Sequence, residues 1–127
     1  MSADLRLMLA DDEDAFAHIF KRWAGEAGHR CDCVGNGDDC LRMLRQHRYD
    51  VLFLDLIMPG ATAETILTEA AHKYPGMQIV IVSSADDDAV VSHLLHMGSA
   101  AYLRKPFRYE ALRDLLNELA ARHGPAA

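Results

Sequence analysis

The stretch Val51-Leu52-Phe53-Leu54-Asp55-Leu56-Ile57-Met58-Pro59-Gly60 decides the fold. Its first four residues are apolar without alternation, which is typical of a strand that is covered on both faces of a sheet. A carboxylate follows this run, and the Pro-Gly pair then marks a turn. The stretch therefore predicts a central strand that delivers Asp55 to one edge of a sheet.

The same order of strand and helix signals extends from this stretch toward both ends of the chain. Apolar residues recur at helical spacing between the β-prone segments and after the last of them, as in the stripe Leu112, Leu115, Leu116 and Leu119. Connections that contain a helix force parallel pairing, with helices on both faces of the sheet. We therefore expect a single doubly wound α/β domain of the (βα)5 type. Its predicted strands are residues 5–10, 30–34, 51–54, 77–82 and 100–103.

Composition limits the classes of function. The 127 residues fit one domain, and a net charge of −6 argues against direct nucleic-acid binding, which needs clustered cations. No apolar run approaches the ~20 residues of a membrane span, and the N-terminus lacks the features of a signal peptide. Three cysteines without C-x-x-C spacing are expected to be reduced thiols, with no zinc site. We expect a cytoplasmic domain over residues 1–127, with a core at about 4–120 and a tail at 121–127.

Polar side chains stand at the ends of four predicted strands. Asp11 and Asp12 follow the first strand, Asp55 follows the third, Ser83 and its neighbour follow the fourth, and Lys105 comes after the fifth. Ligands of open α/β sheets bind at the carboxyl ends of the strands. One crevice is therefore expected to contain three carboxylates, a hydroxyl and an ammonium group.

This set of groups fits phosphoryl chemistry with a divalent cation. Neighbouring carboxylates raise one another's pKa, and Mg²⁺ (or Mn²⁺), which prefers oxygen ligands, relieves their repulsion. The hydroxyl and the ammonium are donors for an anion, and a carboxylate can form an acyl phosphate. Each residue also has an ordinary interpretation. An Asp after a strand can be a helix N-cap or a turn residue, a Ser-Ser pair can be a plain loop, and Lys-Pro can be a turn or a helix stop.

Four motifs taken in order resemble the receiver domain of two-component response regulators. The resemblance covers residues 5 to about 119, and it implies a flavodoxin-like parallel sheet of order 2-1-3-4-5. The separations are also similar, with 43 residues from Asp12 to Asp55, 28 from Asp55 to Ser83 and 22 from Ser83 to Lys105. The motifs are LADDE at 9–13, LFLDLIMPG at 52–60, IVSSA at 81–85 and GSAAYLRKPF at 98–107.

The resemblance implies a role for each site residue. Asp55 would accept a phosphoryl group, and Asp12, Asp55 and the backbone carbonyl of Ile57 would bind Mg²⁺ directly, with Asp11 acting through water. Ser83 would provide the hydroxyl that moves toward the phosphoryl group. Lys105 would pair with Asp55 and then with a phosphoryl oxygen. Tyr102 would be an aromatic switch, although it could equally be an ordinary half-exposed strand residue. The surface changed by the switch would present His93, His96, Tyr102 and Arg108.

Three positions depart from the family pattern. In the loop after the third predicted strand, Thr62 and Ala63 stand where the family usually has an acidic residue and then Gly. Ser84 replaces a frequent Ala, and both residues are small. Ala100 and Ala101 replace an acidic residue that is common in the winged-helix DNA-binding subgroup. The last departure weakens the case for that subgroup's dimer.

Other functions remain as alternatives. The chain could be a degenerate receiver that acts only as an interaction module. It could also be a Mg²⁺-dependent phosphatase with an Asp nucleophile, but Ile57 stands where such enzymes of the haloacid dehalogenase type carry a second acid. A flavin-nucleotide site is disfavoured by the acids after the first strand, and no P-loop is present.

The favoured interpretation is a phosphoacceptor that catalyses only its own phosphotransfer and dephosphorylation. Its expected partners are a sensor histidine kinase or histidine phosphotransfer protein, and either a downstream protein target or an output domain beyond this chain. We expect no contact with nucleic acid or membrane.

Overall fold

The chain forms five strands that alternate with five helices. The structure is a computed structural model that describes residues 4–84 and 88–123. The strands are β1 (Arg6–Ala10), β2 (Arg30–Val34), β3 (Val51–Asp55), β4 (Gln78–Ser83) and β5 (Ala101–Arg104). The helices are α1 (Asp14–Glu26), α2 (Gly37–Gln46), α3 (Ala63–Lys73), α4 (Asp88–His96) and α5 (Tyr109–His123).

All strands pair in parallel in one sheet of order β2-β1-β3-β4-β5. This is the predicted doubly wound, flavodoxin-like order. The strand order reverses beside β1 and β3, so the carboxyl ends of these two strands border the crevice in which such folds bind ligands.

The strand β3 is the centre of the hydrophobic core. Its side chains alternate between the two faces of the sheet, and all five residues are buried. Leu52 and Leu54 pack with residues of α2, α3 and α4, whereas Val51 and Phe53 pack with residues of α1 and α5. The uninterrupted apolar run thus predicted a strand that is covered on both faces.

Three of the five strands end one residue later than predicted. The strand β2 begins and ends where predicted, whereas β3 and β4 continue one residue further, through Asp55 and Ser83. Asp55 is paired in register with Val82, and Ser83 with Arg104. Backbone pairing does not depend on side-chain polarity, so a polar residue can complete a parallel strand. These two polar groups are therefore fixed by the sheet.

The C-terminal helix extends beyond the expected core. The helix α5 continues to His123, whereas we expected the core to end near residue 120. The Gly-Pro-Ala-Ala end of the expected tail, residues 124–127, lies outside the described residues. Within the described part of the chain, none of the helices has the length and apolar character needed to cross a membrane.

Candidate functional site

Three carboxylates meet at the carboxyl edge of the sheet. Asp11 and Asp12 directly follow β1, and Asp55 is the last residue of the adjacent strand β3. One carboxylate oxygen of each lies within 4.8 Å of those of the other two. Asp11 and Asp55 are buried, whereas Asp12 is exposed to solvent. The structure thus brings the predicted acids together, with one of them open to solvent.

Burial raises the pKa of Asp55 to about 6, with the charge of Asp11 as the next cause. The nearby Lys105 ammonium and the Ile57 backbone N–H act in the opposite direction. Repulsion among the carboxylates was the predicted cause of such a shift, but removal from water contributes more to it. The carboxylate of Asp55 is therefore poorly solvated, and a cation at the site would favour its charged form.

Lys105 provides the cation of the site, but it lies on the α1 side. Its Nζ is 2.6 Å from Asp11 Oδ2 and 3.1 Å from Glu13 Oε1, but 4.0 Å from Asp55 Oδ2. The same atom lies 4.1 Å from the centroid of the Phe16 ring. The expected pairing of Lys105 with Asp55 is thus looser than its pairing with Asp11, because two other acids bind the ammonium more closely.

Sequence reasoning missed Glu13 and Phe16 as neighbours of Lys105. The signal was present in the acidic run that follows the first strand. A helix that begins at the last acid of this run places its first turn beside the end of β5, within reach of a lysine side chain. The direction of that flexible side chain, however, is set by three-dimensional packing.

Ser83 and Tyr102 are connected through the backbone at the end of β4. Ser83 is buried, and its carbonyl oxygen accepts a hydrogen bond from the Lys105 backbone N–H at 2.9 Å. The Tyr102 hydroxyl, on the neighbouring strand β5, donates to the same carbonyl at 3.3 Å. Ser84 is exposed, and Ala85 of the IVSSA motif lies outside the described residues. The predicted hydroxyl and aromatic positions are therefore direct neighbours.

The loop after β3 packs against the beginning of α2. The Ile57 N–H donates to Asp55 Oδ1 at 3.4 Å, and the Ile57 side chain is exposed. Further along the loop, the Pro59 carbonyl accepts a hydrogen bond from the Gly37 N–H at 2.8 Å. A Cβ at Gly37 would lie 1.9 Å from the Ala61 carbonyl oxygen, so this contact requires glycine. This docking was not predicted from the sequence.

The surface predicted to change on switching lies beside this site. His93, His96 and Arg108 are exposed, and Tyr102 is half-buried. His93 Nε2 lies 3.9 Å from Glu64 Oε2 of the neighbouring helix α3. His96 Nδ1 is 2.9 Å from the Ser92 carbonyl oxygen. Of the four residues, Tyr102 donates a hydrogen bond to the end of β4.

The donor set fits a hard divalent cation. Asp11, Asp12 and Asp55 offer carboxylate oxygens at one point, with one of the three open to solvent, and Mg²⁺ prefers oxygen ligands and retains several waters. The backbone carbonyl of Ile57 belongs to the loop that follows β3. Asp12, Asp55 and this carbonyl are the groups expected to bind the ion directly, with Asp11 acting through water.

The chain matches a known protein family. The family profile described as "Response regulator receiver domain" matches residues 7–117. Among curated proteins, the chain is 31% identical over 120 residues to the sensory/regulatory protein RpfC of Xanthomonas campestris, covering 91% of the chain and 16% of RpfC. It is 24% identical over 116 residues to the transcriptional regulatory protein MalR of Bacillus subtilis, covering 90% of the chain and 49% of MalR. The chain thus spans about half or less of these relatives.

Solved structures show the same fold. The receiver domain of a Francisella response regulator has a TM-score of 0.85 and 26% identity, with 94% of this chain and 98% of that chain covered. The receiver domain of a Pseudomonas aeruginosa sensor histidine kinase has a TM-score of 0.83 and 21% identity, with 94% and 99% covered. That structure is described with a magnesium ion coordinated in the active site cleft.

Proposed function

The chain belongs to the response regulator receiver domain family, and from this premise we propose that Asp55 is its phosphoacceptor. A phosphoacceptor role in two-component signalling is general for this family. The finer assignment concerns which residues of this chain perform it: Asp55 receives the phosphoryl group, and Lys105 and Ser83 bind the phosphoryl oxygens. Asp12, Asp55 and the Ile57 backbone carbonyl would bind Mg²⁺ directly, with Asp11 acting through water.

One observation carries the proposal. Asp55 is a buried carboxylate at the end of the central strand, with two further carboxylates within 4.8 Å and the Lys105 ammonium at 4.0 Å. A buried carboxylate with metal ligands and a cation nearby suits transfer of a phosphoryl group onto its own oxygen. A structural ion pair would not need the exposed third acid, Asp12.

The chemistry is an in-line transfer. A carboxylate oxygen of Asp55 attacks the phosphorus of a phosphohistidine, the P–O bond forms, the P–N bond breaks, and the imidazole leaves. Bound Mg²⁺ would neutralise charge on the acids and on the phosphoryl oxygens. Lys105 and the Ser83 hydroxyl, which project from the ends of neighbouring strands, then donate to the phosphoryl oxygens. In dephosphorylation, water attacks the phosphorus of the acyl phosphate, the P–O bond to Asp55 breaks, and inorganic phosphate and the free carboxylate are released.

This assignment makes the protein a self-modifying switch. A phosphatase acting on other phosphoesters would need a second acid near position 57, where Ile57 presents an apolar side chain that is 71% exposed. That observation favours a phosphoacceptor that catalyses only its own phosphotransfer and dephosphorylation.

The partners follow from the same assignment. We propose a sensor histidine kinase or a histidine phosphotransfer protein as the donor. A downstream protein, or an output domain outside the receiver unit, would read the state of the surface formed by α4, β5 and α5. We place this activity in the cytoplasm and the receiver unit at residues 1–127, and we assign this chain no direct contact with nucleic acid or membrane.

The experiment is labelling by acetyl phosphate. The wild-type protein should form an acid-stable, base-labile phosphoprotein only with Mg²⁺ present, and Asp55→Asn should abolish the label. Asp14→Asn, which removes an exposed acid from the first turn of α1, is the matched control and should label normally. Undiminished labelling of Asp55→Asn would transfer the assignment to Asp12. Absence of label in the wild type would favour a degenerate interaction module.

A further inference from the structure

The ammonium of Lys105 is bound by two acids on the α1 side of the site. Its Nζ donates to Asp11 Oδ2 at 2.6 Å and to Glu13 Oε1 at 3.1 Å, whereas Asp55 Oδ2 is 4.0 Å away. A charge-assisted N–H···O bond is usually about 2.7–2.9 Å long. Lys105 therefore has to move by roughly 1 Å to make such a bond at the position of Asp55.

Glu13 does not serve the helix that it precedes. It occupies the N-cap position of α1, where a side chain normally accepts a hydrogen bond from the first turn, but its carboxylate makes no such bond. Its backbone N–H donates to Asp11 Oδ1 at 2.9 Å, which fixes the residue beside the site. The carboxylate is thus directed to Lys105 instead of the helix end.

We infer that Glu13 is a positioning residue that holds the Lys105 ammonium on the α1 side of the site and weakens closure of the site around a phosphoryl group. The inference rests on the proposed function and concerns the regulation of the same site. Glu13 thereby shifts the equilibrium between two positions of the Lys105 ammonium, one bound to Asp11 and Glu13 and the other bound to a phosphoryl group on Asp55.

The difference in burial between the two acids decides which contact is released. Asp11 has a fully buried side chain, so loss of its cation would leave an unpaired charge in the interior. The Glu13 side chain is 63% exposed and can return to water at little cost. When Lys105 turns to a phosphoryl group on Asp55, it therefore gives up Glu13 first.

The aromatic neighbours of Lys105 restrict the directions in which its ammonium can move. The Lys105 ammonium lies 4.1 Å from the centroid of Phe16, whose ring is in turn 5.9 Å from the Phe20 ring and 5.7 Å from the Phe107 ring. A ring packed on two sides cannot yield easily. The movement open to the ammonium is therefore toward Asp55, away from Glu13.

The test is the affinity for beryllofluoride, a phosphoryl mimic, measured with saturating Mg²⁺ through the fluorescence of Trp23, the single tryptophan. Glu13→Gln should bind beryllofluoride about two- to five-fold more tightly than the wild type, which is the range for loss of an exposed ion pair. Asp14→Asn removes the same charge from the same helix turn without touching Lys105, and its affinity should change by much less. The thermal midpoint of Glu13→Gln should fall only slightly, because one exposed ion pair is lost but no helix cap is.

A double-mutant cycle separates positioning from a general charge effect. In the Lys105→Met background, Glu13→Gln should leave the affinity for beryllofluoride unchanged, because its effect passes through the ammonium. An equal gain in that background, or an equal gain in Asp14→Asn, would overturn the inference while leaving the proposed function intact. A wild-type protein that binds no beryllofluoride with Mg²⁺ would overturn the proposed function and this inference with it.

Discussion

Asp55 and Lys105 show how burial changes the behaviour of ordinary charged groups. The pKa of Asp55 is raised to about 6, chiefly by burial, whereas bonds to Asp11 and Glu13 outweigh the effect of burial on Lys105 and raise the pKa of its ammonium. The site thus contains a carboxylate that lacks a close cation and a cation that is already paired. This imbalance leaves Asp55 ready for a further positive charge, which a divalent ion would supply.

Asp12 gives the most direct test of that ion. Asp12→Asn removes the exposed carboxylate of the three, so Mg²⁺ affinity should fall by at least about ten-fold. The fold should survive, because removing one of several like charges relieves repulsion in the metal-free protein. The measurements are a Mg²⁺ titration and a thermal melt without metal. An affinity equal to that of Asp14→Asn would exclude Asp12 as a ligand.

His29 should make stability depend on pH at a point far from the site. The residue is buried, its Nδ1 accepts a hydrogen bond from the Leu5 N–H at 2.9 Å, and burial lowers its pKa below the usual 6.5. In the unfolded chain this imidazole takes up a proton as the pH falls through about 6.5, whereas in the folded protein it remains neutral to lower pH. Its contribution to the free energy of unfolding is therefore fully present above pH 6.5 and decreases below it.

The comparison variant is His29→Asn, whose amide oxygen can accept the same bond but does not titrate. Between pH 7.5 and pH 5.0, the free energy of unfolding of the wild type should fall by more than that of the variant, because only the wild type contains the titrating imidazole. Urea denaturation at both pH values measures the difference. Equal losses in the two proteins would show that His29 is not responsible.

At the scale of elements, polar strand ends were the most informative signal in the sequence. Asp55 and Ser83 were recognised as site candidates because apolar runs end at them, and both prove to complete their strands. The looser pairing of Lys105 could not be foreseen, since a four-carbon side chain can reach several acids. The contact between Gly37 and the loop after β3 was equally hidden, because a glycine at the start of a helix is common for many reasons.

That contact gives a prediction at the helix α2. In Gly37→Ala the added Cβ would meet the Ala61 carbonyl oxygen at 1.9 Å, so either the helix or the loop must shift. The free energy of unfolding should fall by about 1–3 kcal/mol, as for other overpacked sites. The matched control is Gly25→Ala in α1, where no atom lies within 4 Å of the new Cβ.

The control should be neutral or slightly stabilising, because alanine favours a helix. Thermal and urea denaturation of both variants give the comparison. A Gly37→Ala protein as stable as Gly25→Ala would mean that the loop yields without cost. Because the same loop includes Ile57, a Mg²⁺ titration of Gly37→Ala would then report whether this shift reaches the metal site.

For the whole molecule, the sheet separates a rigid core from one responsive edge. Both faces of β3 are filled with apolar side chains, so the strands cannot move independently of one another. The groups that can respond lie at the carboxyl edge, where the Ser83 carbonyl accepts hydrogen bonds from both the Lys105 backbone and the Tyr102 hydroxyl. A change at Asp55 can therefore reach the surface formed by α4, β5 and α5 through the end of β4.

The last prediction concerns this route. Phosphorylation replaces the single negative charge of the Asp55 carboxylate with a phosphoryl group that carries about −1.5 to −2 charges, which should draw the Ser83 hydroxyl and the end of β4 inward. Because the Tyr102 hydroxyl is 3.3 Å from the Ser83 carbonyl, its ring should follow. Both the outward and the inward arrangement of these two residues should be populated before phosphorylation, so that the modification shifts the equilibrium between them.

Ser83→Ala should still accept a phosphoryl group, but the surface formed by α4, β5 and α5 should respond to it only weakly. Tyr102→Phe, which retains the ring and the Ser83 hydroxyl, is the comparison variant. Amide NMR with and without beryllofluoride measures the response around Tyr102, His93 and His96, and shifts in Ser83→Ala as large as in the wild type would show that the hydroxyl does not couple the site to this surface.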